Sequence, residues 1–269
     1  MIYLKSESEI DKMREAAQLV SRTLAQVGKI LEPGIETGKL DRIAEDYIKK
    51  HDARPAFKGY GGKNNPFPAT LCISINDEVV HGIPGRRIVK EGDIVSIDCG
   101  VELNGFYGDH AYTFIAGETD DKTLNLLKTT LESLYAGIEK AVHGNRIGDI
   151  GSTIQKHCED RNFGVVRDLV GHGIGKSMHE DPSVPNYGLP GKGERLRTGM
   201  GLAIEPMITA GGWKVNTLKD GWTIVTADGS NAAHFEHDVI VREGKAEILS
   251  TFDYITEITK NENLLTSYG

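Results

Sequence analysis

Five side chains of this 269-residue chain could together hold metal: Asp98, Asp109, His172, Glu205 and Glu236. Oxygen-rich ligation with a single imidazole nitrogen suits hard or borderline divalent ions such as Mn, Fe, Co or Zn. Four carboxylates match the four positive charges of two such ions. Ion pairs held roughly 3.5–4 Å apart serve hydrolases well, because they activate water and polarise a carbonyl. Each member taken singly is ambiguous. The two aspartates could lie on a solvated acidic face. His172, between Gly171 and Gly173, could be a satisfied structural histidine. Glu205, in the apolar run Leu202-Ala203-Ile204-Glu205-Pro206-Met207, could be half of a structural ion pair, since a buried carboxylate must be neutralised, paired or bound to metal. Glu236, in Ala233-His234-Phe235-Glu236-His237-Asp238-Val239, could be a salt-bridged residue at a strand end. The set is more specific than its members.

The elements that would carry these residues follow from pattern. Asn104-Gly105 is a strong two-residue hairpin signal, and it predicts strands over 93–103 and 106–116. If Leu103 pairs with Phe106, Gly100 lies opposite Asp109 and Asp98 opposite Ala111. Side chains alternate faces along a strand. Asp98 and Asp109 then share one face as diagonal neighbours, roughly 7–8 Å apart at the backbone. Two like charges so placed repel, and strands disfavour Asp; a cation between them resolves both objections.

Upstream, Ser6 to Glu9 fits a capping box. Ile10, Met13, Ala17, Val20, Leu24, Val27 and Leu31 recur at helical spacing, so 6–31 is predicted helical, with Pro33-Gly34 as its stop. A second helix is expected over 37–51, a loop over 59–68 and a short strand over 71–75. Helices over 124–142 and 148–162 follow, then strands over 201–209, 223–226, 233–241 and 246–250. Helix, helix, strands occurs twice without a linker. The expectation is one α+β domain over 1–269, with two pseudo-related halves around an antiparallel sheet.

Composition narrows the class. Hydrophobic residues make up 39% and charged residues 26% of the chain, ordinary for a globular protein. A net charge of −8 argues against nucleic acid as the main partner. No stretch approaches the ~18–20 apolar residues of a membrane span, and the N-terminus lacks the apolar core of a secretory signal, so a cytoplasmic location is expected. The three cysteines, Cys72, Cys99 and Cys158, lack metal or disulfide spacing and read as buried thiols.

At these residues the sequence resembles the type I methionine aminopeptidases, in the pita-bread group that also contains prolidase and aminopeptidase P. The matching stretches are Cys72 to Pro84, Gly92 to Asp98, Gly108-Asp109, Gly171 to Gly175, Ile204-Glu205-Pro206 and Glu236-His237. The resemblance spans residues 5–250. It implies that Asp98, Asp109, His172, Glu205 and Glu236 are metal ligands, that Asp109 and Glu236 bridge two ions, and that Glu205 accepts a proton from the attacking water. It implies that His81 contacts substrate near the scissile amide and that His179 helps stabilise the developing oxyanion. Tyr60, Cys72, Met178 and Trp222 occupy pocket positions, with Met178 standing where many members have Phe. No zinc-binding extension and no long insertion between Glu205 and Glu236 are seen, the pattern of a minimal bacterial-style enzyme.

The resemblance implies removal of the initiator methionine from nascent proteins, by a monomer for which ribosome contact would suit the task. A proline-directed peptidase of the same fold is the enzymatic alternative, and a non-catalytic binding protein the other. The latter typically loses ligands, and all five are present here. The sequence does not choose among Co, Mn, Fe and Zn.

Overall fold

The computed structural model describes residues 2–258; residues 1 and 259–269, inside the span expected to form one domain, lie outside the described residues. Helix α1 runs Glu7–Gly28. Its start is held by the Ser6 N–H, which donates to Glu9 Oε2 at 3.0 Å, satisfying a backbone donor that has no partner within the helix. The spaced apolar residues Ile10, Met13, Ala17, Val20, Leu24 and Val27 are all buried. That stripe packs on α2 (Thr37–Lys50) and on the hairpin strands. Truncating Leu24 to Ala would cost about 2–5 kcal/mol by lost burial and the cavity left behind.

Helix α3 spans Asp121–Ile138, starting earlier than the spacing of apolar residues suggested. The reason is Asp120, whose carboxylate accepts from the Thr123 N–H at 2.8 Å and caps the helix there. Helix α4, Ile147–Glu159, packs against α3. A short α5 covers Asp253–Thr256.

The hairpin is Ile94–Leu103 joined to Phe106–Ile115. Asn104 and Gly105 both adopt left-handed conformations, φ 54° and 78°, as the favoured two-residue turn demands. Leu103 faces Phe106, Gly100 faces Asp109 and Asp98 faces Ala111, the register counted from the turn. The outer edge of Ile94–Leu103 pairs with Leu71–Ile75 and, near its end, with Arg54–Pro55.

The second half departs from expectation in one respect that matters for the site. The runs 201–209 and 233–241 are not continuous strands. Each is split into two, Gly201–Ile204 with Met207–Thr209, and Ala232–His234 with His237–Ile240. The first and last of these pair with each other in a five-stranded sheet, together with Gly171–Gly173, Glu180–Val184 and Glu247–Ile248. The middle two pair in a three-stranded sheet with Gly164–Val165. Pro206 has no N–H to give a ladder, and the chain changes sheet there. A fourth sheet joins Glu78–Val80, Val215–Thr217 and Ile224–Thr226. Every strand ladder among the described residues is antiparallel. One apolar core runs from α1 and α2 through the hairpin to α3, α4 and the split strands.

Candidate metal centre

All five acid and imidazole candidates reach one cavity of about 330 Å³. Asp98 and Asp109 come from the two strands of the hairpin. Asp109 is held from behind: its N–H donates to Asp238 Oδ2 at 2.8 Å, and its Oδ1 accepts from the His110 N–H at 3.0 Å. The two glutamates stand at the strand breaks. Asn186 Nδ2 donates to the Glu205 carbonyl at 3.0 Å, and the Glu236 N–H donates to the Ala111 carbonyl on the hairpin at 3.0 Å. Residues that leave a ladder are therefore fixed by contacts from neighbouring elements.

His172 sits in the short strand Gly171–Gly173, unmarked by sequence because glycine is depleted in strands. The glycines are needed for close approach. A Cβ on Gly171 would lie 2.4 Å from the Ala203 carbonyl, and one on Gly173 would lie 2.3 Å from the Asp181 carbonyl. His172 Nδ1 is 2.9 Å from the Gly173 carbonyl. A carbonyl only accepts, so Nδ1 carries the proton and Nε2 presents a lone pair, the arrangement typical of metal-ligating histidine. That Nε2 lies 3.7 Å from both Asp109 Oδ2 and Glu205 Oε1.

Burial lifts the proton affinity of all four acids. Asp98 and Glu236 are held well above the ordinary carboxylate range by burial, then by the neighbouring charge of Asp109. Asp109 is raised to about 8 by burial and by the charge of Glu205, and burial raises Glu205 to about 7. Ionised carboxylates this close need compensation, either protons or cations. Asp98 Oδ1 and Glu236 Oε1 are buried without a hydrogen-bond partner, an expensive state for a polar atom. Ligand atoms of Asp109, His172 and Glu236 lie within 4.8 Å of one another. Orphaned oxygens, clustered acids and an imidazole lone pair fit divalent cations.

His81 and His179 line the same cavity. Desolvation pushes both down to about 4, so each is a neutral imidazole at neutral pH. His81 has φ 58°, a left-handed conformation uncommon outside glycine. The Tyr60 hydroxyl lies 2.7 Å from His179 Nδ1, and the His172 and His179 rings are 4.2 Å apart. Tyr60, Cys72 and Trp222 line the wall with Phe57, Phe67 and Met207.

Met178 is buried among the residues that form this wall. It packs with Phe57, Phe67 and Cys72, and its Cε sits 2.6 Å from where a Cβ on Gly100 would be. The wall residues Phe57, Phe67 and Met207 carry no local signal that marks them in the sequence. His234 is a further buried residue beside the site: the structure turns its imidazole toward Glu205.

Among the described residues no helix is long and apolar enough to cross a membrane. A model of metallopeptidase family M24 matches residues 11–243. The chain is 53% identical over 251 residues to a methionine aminopeptidase of Clostridium acetobutylicum, covering 93% of this chain and 99% of that one. The crystal structure of a methionine aminopeptidase from Thermotoga maritima is similar with a TM-score of 0.90 at 47% identity, covering 93% of this chain and all of that one. A prolidase from Pyrococcus horikoshii shares the pita-bread fold, with a TM-score of 0.76 at 20% identity over 93% of this chain and 64% of its own. The chain belongs to metallopeptidase family M24 and groups there with the methionine aminopeptidases.

Proposed function

We propose that this chain removes the N-terminal methionine from nascent proteins with the aid of two divalent ions, which Asp98, Asp109, His172, Glu205 and Glu236 would hold. The observation that carries this reading is the convergence of four acids and one imidazole on a cavity whose remaining wall is largely apolar. When bound, such ions supply acidified water and a Lewis acid for the scissile carbonyl; availability selects among Co, Mn, Fe and Zn.

The chain's own residues do the rest. Glu205 lines the cavity and is placed to take a proton from the attacking water and return it to the leaving amine. With the Tyr60 hydroxyl donating to His179 Nδ1, His179 Nε2 keeps its proton and donates to the developing oxyanion. His81 is placed to contact the amide on the other side. The apolar wall of Phe57, Phe67, Cys72 and Trp222 takes the methionine side chain. A cavity of about 330 Å³ is at the small end of ligand pockets, which run roughly 300–1,000 Å³, and suits one terminal residue. The reading treats the chain as one catalytic metallopeptidase domain, monomeric and cytoplasmic, working on peptides as they leave the ribosome.

Purified protein supplied with Co, Mn, Fe or Zn is expected to release methionine from Met-Ala-Ser and to leave X-Pro peptides intact. Failure to release methionine with every one of these metals would refute the assignment, and preference for X-Pro would replace it with the proline-directed alternative.

A further inference from the structure

His234 has no part in the scheme above, yet it stands inside the centre. It ends the strand Ala232–His234 and is buried, 2% exposed. Its backbone is clamped to the hairpin by Thr113: the His234 N–H donates to Thr113 Oγ1 at 3.0 Å, and that hydroxyl donates to the His234 carbonyl at 2.7 Å. Its Nε2 lies 3.6 Å from Glu205 Oε2 and has no hydrogen-bond partner. The other oxygen of the same carboxylate, Oε1, faces His172 Nε2 at 3.7 Å. Glu205 is therefore bracketed by two imidazoles, one against each oxygen. The two differ in role. His172 lines the cavity together with the four acids, while His234 lies behind Glu205 and does not line it. A buried polar nitrogen without a partner is costly, and a small closing movement of Glu205 would satisfy it.

We propose that His234 is a positioning residue for Glu205: its Nε2–H closes onto Oε2 and fixes the plane of the carboxylate, leaving Oε1 to face His172 and the ions. The inference rests on the reading of Glu205 as a metal ligand and proton acceptor. Groups that hold a ligand from behind typically matter by roughly 10–100-fold in metal affinity or activity.

The test compares H234Q with H234M in the full-length chain. The two side chains are similar in length, but only the amide can donate to Glu205, so a general folding defect would strike both. Cobalt affinity by calorimetry, the visible spectrum of the cobalt-loaded protein, and kcat and KM for Met-Ala-Ser are measured, with E205Q as control. H234M is expected to bind cobalt roughly 10–100-fold more weakly than wild type, with an altered spectrum and lower kcat at unchanged KM. H234Q is expected to recover most of that loss. Equal cobalt affinity and equal kcat for H234M and H234Q overturn the positioning role. Two imidazole nitrogens on manganese by pulsed electron paramagnetic resonance would make His234 a ligand and overturn it as well. Wild-type cobalt affinity in E205Q sinks the reading of Glu205 itself, and the proposal with it; wild-type affinity in H234M with weakened E205Q sinks the proposal alone.

Discussion

The centre is assembled from two unlike regions. The hairpin contributes Asp98 and Asp109 from unbroken ten-residue strands, where register alone fixes which face each acid occupies. The split strands contribute Glu205 and Glu236 from points where the chain leaves one sheet for another. An acid in a continuous ladder has its face set by its own strand, although Asp109 also donates its N–H to Asp238 on the far side of the site. An acid at a break has no ladder bond of its own and depends on what neighbouring elements supply, here Asn186 and the Ala111 carbonyl. The difference teaches that acids lining one cavity can be aimed chiefly by strand register on one side and by tertiary contact on the other.

The largest effects should come from removing a group both regions share. D109N and E236Q should each abolish methionine release and weaken metal binding, since these acids face each other across the two regions; calorimetry and peptide assay would show it. E205Q, at the break, should lower kcat by roughly 10²–10⁴. H179A should lower it by roughly 10²–10³ through the lost donor, and a KM that stays constant in stopped assays would confirm that the loss is confined to the transition state.

Next in size is an effect on the metal-free protein. Burial raises Glu205 to about 7 and Asp109 to about 8, above their unfolded values near 4. Between those limits the folded state binds more protons than the unfolded state, so stability is fully present below about pH 4 and is lost as pH rises toward 8. These two groups should therefore make denaturant unfolding in EDTA occur more readily at pH 8 than at pH 5. Added metal should reverse that trend, because it replaces the protons the folded carboxylates would otherwise take up. A metal-free protein whose stability rises steadily across that window would contradict the account of these acids.

Smaller still, G171A should disturb the His172 strand, where a Cβ would meet the Ala203 carbonyl at 2.4 Å. A cost of about 1–3 kcal/mol together with weaker metal binding is expected. The smallest effect is G105A at the hairpin turn. Open space surrounds that position, but φ is 78°, so about 1–2 kcal/mol of strain is expected with kcat unchanged. A large loss of activity in G105A would mean that the hairpin register depends on its turn more than on its buried faces.

The same contrast explains what could be read from sequence. Asn104-Gly105 made the hairpin and the facing of Asp98 and Asp109 countable, because period two and turn type are local properties. The capping of α1 at Ser6 was equally local. The splits at Glu205 and Glu236 were not legible: each apolar run reads as one strand, and only the surrounding sheets reveal that it changes partners. The strand of His172 was hidden by its flanking glycines, whose reason is the closeness of the neighbouring strands. Met178 was expected at the pocket from a motif position; its contact with the space above Gly100 is a matter of packing that no spacing reports.

The most direct test of the centre is anomalous diffraction from crystals soaked in manganese. Two peaks roughly 3.5–4 Å apart, in the cavity lined by Asp98, Asp109, His172, Glu205 and Glu236, are the predicted result. A single peak, or peaks away from these five side chains, would contradict a two-ion centre built jointly by the hairpin and the split strands.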